Sequence, residues 1–235
     1  MFNVFIFILG GLLLTYSMLA PLPYGRFSDK LSILPIPATL ARVLRNVPAL
    51  IALLVYYFNN RKLSGSGGML LIFLAVYFTW RTISPLLLNS LHRDTKSVSF
   101  LFVLFFATYN TFVGLQLGYA CSELTEMNTY DIPLIVLASI FFGLHVFYDI
   151  DLNRMRRTRP ERPERPDGYI PESELEAKYK MLFMWGISSP NYFFEVLQWI
   201  ALTVISIDIV VYLFITIALL WLRACHMSLW YSANF

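Results

Sequence analysis

Three polar residues with chemically useful side chains interrupt an apolar stretch near the carboxyl end of the chain. The stretch "SSPNYFFEVLQW" places Asn191, Glu195 and Gln198 at helical spacing. Residues at i, i+4 and i+7 share one face of a helix. An amide, a carboxylate and a second amide on one face could line a pocket for a polar ligand. They could equally join neighbouring helices by hydrogen bonds.

Other polar clusters lie in or at the ends of three further apolar segments. If these segments cross a membrane, all of the clusters lie toward its cytosolic face. An ionisable group in a bilayer is costly, so it usually faces a protein interior or a wet cavity. We predict that the clusters together form a polar chamber, open to cytosol, where an anionic cofactor meets a lipid-soluble substrate. Their members are Tyr77, Arg81, Ser84, Asn89, Asp149, Asp151, Arg223, Trp230 and Tyr231.

The composition is that of an integral membrane protein. Of the 235 residues, 57% are hydrophobic and 14% are charged, and the mean hydropathy is +0.61. Soluble domains carry about a quarter charged residues. The net charge of +3 is too small for a nucleic-acid binder. The histidines and cysteines form no metal-binding pattern, so no metal site is expected.

The apolar segments set the fold class, because a spanning helix needs about 20 mainly apolar residues. The sequence predicts an all-α membrane protein of about seven transmembrane helices, forming one polytopic domain over residues 1–235. The candidate spans are 3–20, 38–58, 69–88, 98–120, 132–150, 189–206 and 208–226. The first has no basic region before it, which favours a retained helix over a signal peptide.

Alternate loops differ in positive charge, which predicts the orientation. The loops after the first, third and fifth spans carry most of the lysines and arginines, whereas "CSELTEMNTYD" carries none. Positive charge favours the cytosolic side, so we expect a lumenal N-terminus and a cytosolic C-terminus. The cytosolic segment 151–188 contains a Pro-Glu-Arg repeat that cannot form a regular helix. We interpret the repeat as a solvated tether, and the arginines before it as candidates for binding an anion.

These motifs resemble those of the steroid 5α-reductase family. "SSPNYFFEVLQW" is similar to its SxxNYxxExxEW signature, and "WLRACHMSLWYSANF" to its final-helix pattern. "YFTWRTISPLLLN" and "YNTFVGLQLGY" resemble its HYxHRTxxxxLxN and NxxxQGY stretches. "PLPYGRF" and "LARVLRNVPAL" match two landmarks near its N-terminus. The resemblances follow family order over most of the chain.

The resemblance implies seven helices in the endoplasmic reticulum membrane and NADPH bound from the cytosol. It implies reduction of a carbon–carbon double bond conjugated to a ketone, in a substrate such as a 3-oxo-Δ4 steroid. The substrate-side helices would lie within residues 1–120 and the cofactor-binding half within residues 121–235. The family's cofactor-binding residues correspond to Arg81, Asn89, Asp151, Asn191, Glu195, Arg223 and Tyr231. Asp149 is an alternative to Asp151.

Departures from the family pattern concern the substrate side. The family's glutamate at the substrate carbonyl falls on Asn46, and its tyrosine falls on Phe78, with Tyr77 one residue away. We therefore predict that Asn46 and Phe78 contact substrate and that Tyr77 is the catalytic donor. The chain ends at Phe235 without the family's tail, which predicts either a fragment or an incomplete cofactor lid.

Two alternatives to this function remain open from the sequence. The first is another enzyme of the wider superfamily. A polyprenal or enoyl-CoA reductase would use the same chamber, and an isoprenylcysteine methyltransferase-like enzyme would bind S-adenosylmethionine instead. The second is a non-catalytic relative that kept the scaffold and lost the carbonyl-binding acid, as the residue at Asn46 suggests.

Overall fold

The computed structural model describes residues 2–19, 34–60, 65–89, 97–157, 176–180 and 189–234. Within these ranges the chain is almost entirely helical. The helices are α1 (Phe2–Leu19), α2 (Ala38–Asn59), α3 (Ser66–Asn89), α4 (Phe100–Glu123), α5 (Asp131–Arg157), α6 (Pro190–Ile205) and α7 (Val210–Asn234). Two short strands, β1 (Pro35–Pro37) and β2 (Ser97–Ser99), pair antiparallel. A 3₁₀ turn, Ile207–Ile209, precedes α7.

Six helices of the described chain are long and apolar enough to cross a membrane, which confirms the prediction of an all-α membrane protein. They lie within α1 to α5 and in Ile207–His226. Helix α6 has 16 residues, fewer than the about 20 that a span needs. It begins with Pro190 and ends before Ser206, where the backbone becomes extended. The span predicted at residues 189–206 therefore stays a prediction.

Helices α2 and α4 pack closely through two glycines of α4. A Cβ atom on Gly114 would lie 2.2 Å from the carbonyl oxygen of Ala49, and one on Gly118 would lie 2.9 Å from Cβ of Tyr56. Small residues four apart share a helix face and let two backbones approach in a membrane. This contact fixes the faces of α2 and α4 that border the cavity described below.

A proline in α3 explains one link between α2 and α3. Pro85 lies inside α3 and has no N–H, so the carbonyl of Arg81 lacks its partner within the helix. Asn46 on α2 supplies the missing donor, because its Nδ2 lies 2.9 Å from the Arg81 carbonyl oxygen. Asn46, a predicted substrate-binding residue, therefore has a structural partner.

A tryptophan of α6 joins α3 and α7. The side chain of Trp199 is fully buried. Its ring packs edge-to-face against Tyr77 of α3, at 5.1 Å between ring centroids, and against Tyr212 of α7, at 4.6 Å. Such aromatic pairs stabilise beyond the area they bury. The contacts hold three separate helices around the polar residues of α6.

The helix ends fall into two groups, as alternating spans require. Strand β1 leads into α2 and strand β2 leads into α4, so their pairing places the starts of both helices at one end. The second group forms where α3 begins. The hydroxyl of Ser66 donates to Oδ2 of Asp131, and the amide of Gly67 donates to the carbonyl of Leu124 at 3.1 Å. The start of α3, the end of α4 and the start of α5 therefore meet.

Candidate active site

A buried carboxylate with two donors forms the centre of the site. The hydroxyl of Tyr77 donates to Oε1 of Glu195 at 2.8 Å, and Nη1 of Arg81 lies 3.1 Å from the same oxygen. Tyr77 and Arg81 are one turn apart on α3, so one helix face presents both donors. Glu195 is 1% exposed, and a carboxylate at that depth requires such compensation.

A second tyrosine extends this hydrogen-bonded group into α7. The hydroxyl of Tyr212 shares hydrogen bonds with Tyr77 and with Thr216. A hydroxyl has one proton to donate, and the carboxylate is the stronger acceptor for the proton of Tyr77. Tyr212 therefore donates to Tyr77. The proton of Tyr77 is thus directed to Glu195, and that of Tyr212 to the oxygen of Tyr77.

These residues border a cavity between α2, α3, α4, α6 and α7. The part lined by described residues has a volume of about 120 Å³, whereas pockets for drug-sized ligands measure about 300–1,000 Å³. It therefore has room for one functional group of a ligand. Its polar lining comprises Arg45, Asn46, Tyr77, Arg81, Tyr109, Asn110, Tyr192, Glu195, Tyr212 and Thr216.

The two predicted substrate-binding residues, Asn46 and Phe78, also line this cavity. Phe78 is buried and packs edge-to-face on Tyr77 at 5.2 Å between centroids, but its ring carries no donor. Asn46 uses one amide hydrogen on the carbonyl of Arg81. The structure thus brings together four of the predicted site residues around Glu195.

Asn191 joins α6 to α5 through its backbone. Nδ1 of His145 lies 2.9 Å from the carbonyl oxygen of Asn191, so His145 carries its proton on Nδ1 and donates. The side chain of Asn191 is half-buried and does not line the described part of the cavity. Gln198 is fully buried, and its amide has no hydrogen-bond partner among the described residues.

The two aspartates near the end of α5 have different surroundings. Asp151 accepts from Lys178 at 2.7 Å and from the hydroxyl of Tyr179. Burial raises the pKa of Tyr179, so this hydroxyl remains a donor at neutral pH. Asp149 instead has its backbone carbonyl hydrogen-bonded by Nδ2 of Asn153 at 2.7 Å. Both aspartates remain candidates for contact with a cofactor.

Three predicted cofactor residues lie beyond what the structure describes. Asn89 belongs to α3, and Arg223 and Tyr231 belong to α7, but their side chains lie outside the described part. The arginine-rich segment 158–175 also lies outside the described residues. Within the described chain, no group of three histidines, cysteines, aspartates or glutamates is placed to hold a metal ion.

Sequence reasoning missed two tyrosines of the site, Tyr109 and Tyr212. Tyr109 is 3% exposed, and its hydroxyl has no hydrogen-bond partner among the described residues. The available signal was a polar group inside an apolar span. With 14 tyrosines in the chain, residue type alone did not single these two out.

The sequence of the second half of the chain identifies the family. Residues 93–235, more than half of the chain, match the family model for 3-oxo-5-alpha-steroid 4-dehydrogenase. No curated protein matches the chain. The match includes Glu195 but not Tyr77 or Arg81, which the fold nevertheless brings to this carboxylate. The chain belongs to the 3-oxo-5-alpha-steroid 4-dehydrogenase family of membrane reductases.

Proposed function

We propose that this protein is an NADPH-dependent reductase of a carbon–carbon double bond conjugated to a carbonyl in a lipid substrate, a 3-oxo-Δ4 steroid. The supporting observation is the buried group of Tyr77, Arg81 and Glu195 beside a cavity between membrane helices. Such a site brings a charged cofactor and an apolar substrate together. The family supports the reaction class.

The residues around the cavity fit a dinucleotide cofactor. Arg45 and Arg81 line it, and two guanidinium groups suit an anionic ligand. Glu195 can accept hydrogen bonds from a carboxamide or a ribose hydroxyl. Asn191 and either Asp149 or Asp151, at the ends of α6 and α5, would extend the binding surface. We assign Asn89, Arg223 and Tyr231 to the same role from the family resemblance.

The chain's own residues would perform two tasks during the reduction, stabilising charge and excluding water. NADPH, when bound, supplies a hydride for the β carbon of the substrate. The electron pair of the double bond then shifts toward the carbonyl oxygen, where a cavity hydroxyl stabilises the developing charge. The apolar helices exclude bulk water, which strengthens this interaction. A proton delivered to the α carbon completes the reduction.

Tyr77 is the donor that the sequence predicts, and its position beside the cavity supports a role in the site. Its proton is directed to Glu195, so Tyr77 would have to turn from the carboxylate before it could donate to a ligand. We propose that Tyr77 and Arg81 hold Glu195 ionised and in place for the cofactor.

The proposed function is tested with purified protein in detergent. We expect NADPH consumption and a 5α-reduced product from a 4-ene-3-ketosteroid, with weaker activity for NADH. Glu195→Gln should lower NADPH affinity about tenfold, because a charge-assisted hydrogen bond is lost. Glu123→Gln, an exposed carboxyl at the end of α4, is the matched control. Equal NADPH affinity in the parent and Glu195→Gln would contradict the proposal.

A second candidate function is a non-catalytic relative or another enzyme of the superfamily. Two residues of the cavity favour it. Asn46 is already hydrogen-bonded to a backbone carbonyl, and the ring of Phe78 has no hydrogen to donate to a substrate carbonyl. A parent that binds steroid without turnover would support a binding protein. S-adenosylmethionine binding in place of NADPH would support a methyltransferase, and reduction of a polyprenal or an enoyl-CoA alone would support a different reductase.

A further inference from the structure

A buried hydroxyl in the cavity lacks a partner. Tyr109 of α4 lines the cavity and is 3% exposed, and among the described residues its hydroxyl has no hydrogen-bond partner. Burying a hydroxyl without a hydrogen bond is costly, and nearly all such groups in folded proteins are satisfied. A ligand that brings an acceptor into the cavity would satisfy this one.

Several other polar groups that face the cavity are already engaged. Tyr77 donates to Glu195, and Tyr212 and Thr216 are hydrogen-bonded to each other. Asn46 donates to the carbonyl of Arg81. The hydroxyl proton of Tyr109 is therefore available to an incoming acceptor without breaking a hydrogen bond that the structure describes.

The backbone around Tyr109 is held in place from both sides along α4. The next residue, Asn110, donates from Nδ2 to the carbonyl oxygen of Arg45 at 2.7 Å. One turn earlier, the ring of Phe106 lies under the guanidinium of Arg45, at 5.3 Å from the centroid. Farther along, Gly114 packs against α2. A donor on so constrained a helix is preorganised for its acceptor.

We propose that Tyr109 donates a hydrogen bond to the carbonyl oxygen of the lipid substrate, a role that rests on the proposed function. As the β carbon gains a hydride, the electron pair of the double bond shifts and negative charge develops on the carbonyl oxygen. The hydrogen bond from Tyr109 stabilises that charge. The α carbon then takes a proton from a single water molecule admitted to the cavity, and the hydroxide left behind is neutralised by a proton from solvent. The carbonyl re-forms, and Tyr109 keeps its own proton.

The ligand chemistry follows from the cavity. A ligand suited to it has one carbonyl at the end of an apolar body, because Phe78, Phe106, Leu219 and Leu220 supply the apolar lining. An acceptor at that end meets Tyr109. A ligand that lacks the oxygen would leave the hydroxyl unsatisfied, as it is in the free protein.

The test compares binding of a 4-ene-3-ketosteroid with binding of the same steroid lacking the 3-oxygen, by displacement of radiolabelled steroid in detergent. The parent should prefer the ketone about tenfold, and Tyr109→Phe should remove the preference. Tyr57→Phe is the matched control, since Tyr57 is also fully buried with no hydroxyl partner among the described residues, but does not line the cavity. It should retain the preference, as should Tyr77→Phe.

Three results would overturn the assignment. These are a parent with no preference for the ketone, a Tyr109→Phe protein that keeps the preference, and a Tyr77→Phe protein that alone loses it. Thermal unfolding gives an independent readout. Tyr109→Phe should unfold at or above the parent's temperature, because no hydrogen bond is lost, and a lower temperature would contradict the free hydroxyl. NADPH turnover is measured separately, so ketone preference without turnover would reject the reductase and leave the role of Tyr109 standing.

Discussion

At the scale of single residues, the ionic state of Glu195 organises the site. The carboxylate is buried, and one of its oxygens receives both the Tyr77 hydroxyl and the Arg81 guanidinium. The side chain of Arg81 is 34% exposed, so its charge reaches solvent or a ligand while it neutralises Glu195. A pair of this kind holds a charge in an apolar region and leaves a cation at the cavity.

We expect Tyr77→Phe to lower the stability of the folded protein by about 1–2 kcal/mol, because a hydrogen bond to a buried carboxylate is lost. Thermal unfolding in detergent measures the change. Tyr57→Phe is the control, because it removes a buried hydroxyl without a hydrogen-bond partner in the described chain and should cost less. Equal losses in the two variants would mean that the Tyr77–Glu195 contact contributes nothing.

The sequence predicted Glu195, Arg81 and Tyr77 of this site but not Tyr109 or Tyr212. Glu195 and Arg81 are ionisable residues in apolar helices, which marks them as functional candidates. Tyrosines are common at membrane interfaces, so Tyr109 and Tyr212 carried no comparable mark. Their roles depend on burial and on which hydroxyls have partners, and those properties arise only when five helices are packed together.

At the scale of elements, the helices follow hydropathy closely, and the contacts between helices do not. Helix α6 runs Pro190–Ile205, within one residue at each end of the predicted span 189–206. The pairing of α2 with α4 depends instead on the absence of side chains at Gly114 and Gly118, which lets the two backbones approach. The role of Asn46 could not be read from family position, because it depends on a carbonyl freed by a proline in another helix.

This link between α2 and α3 predicts a coupling between two substitutions. Asn46→Leu should destabilise the protein by about 0.6 kcal/mol, the average for interhelical hydrogen bonds in membranes, and by no more than about 1.7 kcal/mol, the largest value for such bonds. Pro85→Ala restores an N–H within α3 that can bond the Arg81 carbonyl. In the Pro85→Ala background, Asn46→Leu should therefore cost less. Thermal unfolding of the four proteins gives the coupling energy, and strictly additive effects would show that Asn46 does not serve this carbonyl.

At the scale of the whole molecule, the loops divide into two groups. Pairing of β1 with β2 joins the connections that precede α2 and α4, both of which carry positive charge in the sequence. The contact of Ser66 with Asp131 joins the connections that precede α3 and α5. This grouping makes the orientation expected from the sequence testable, because connections at one end should face the cytosol and those at the other end the lumen.

The orientation predicts where an added glycosylation acceptor becomes modified. A flexible linker carrying an Asn-X-Thr acceptor between Glu126 and Met127, at an exposed point of the loop between α4 and α5, should be glycosylated, because that loop carries acids and should face the lumen. The same linker between Arg159 and Gly168 should stay unmodified. Mobility shifts reversed by a glycosidase report the outcome. Modification only at the second site would show that the protein has the opposite orientation. The cavity's arginines would then lie on the side without access to cytosolic NADPH.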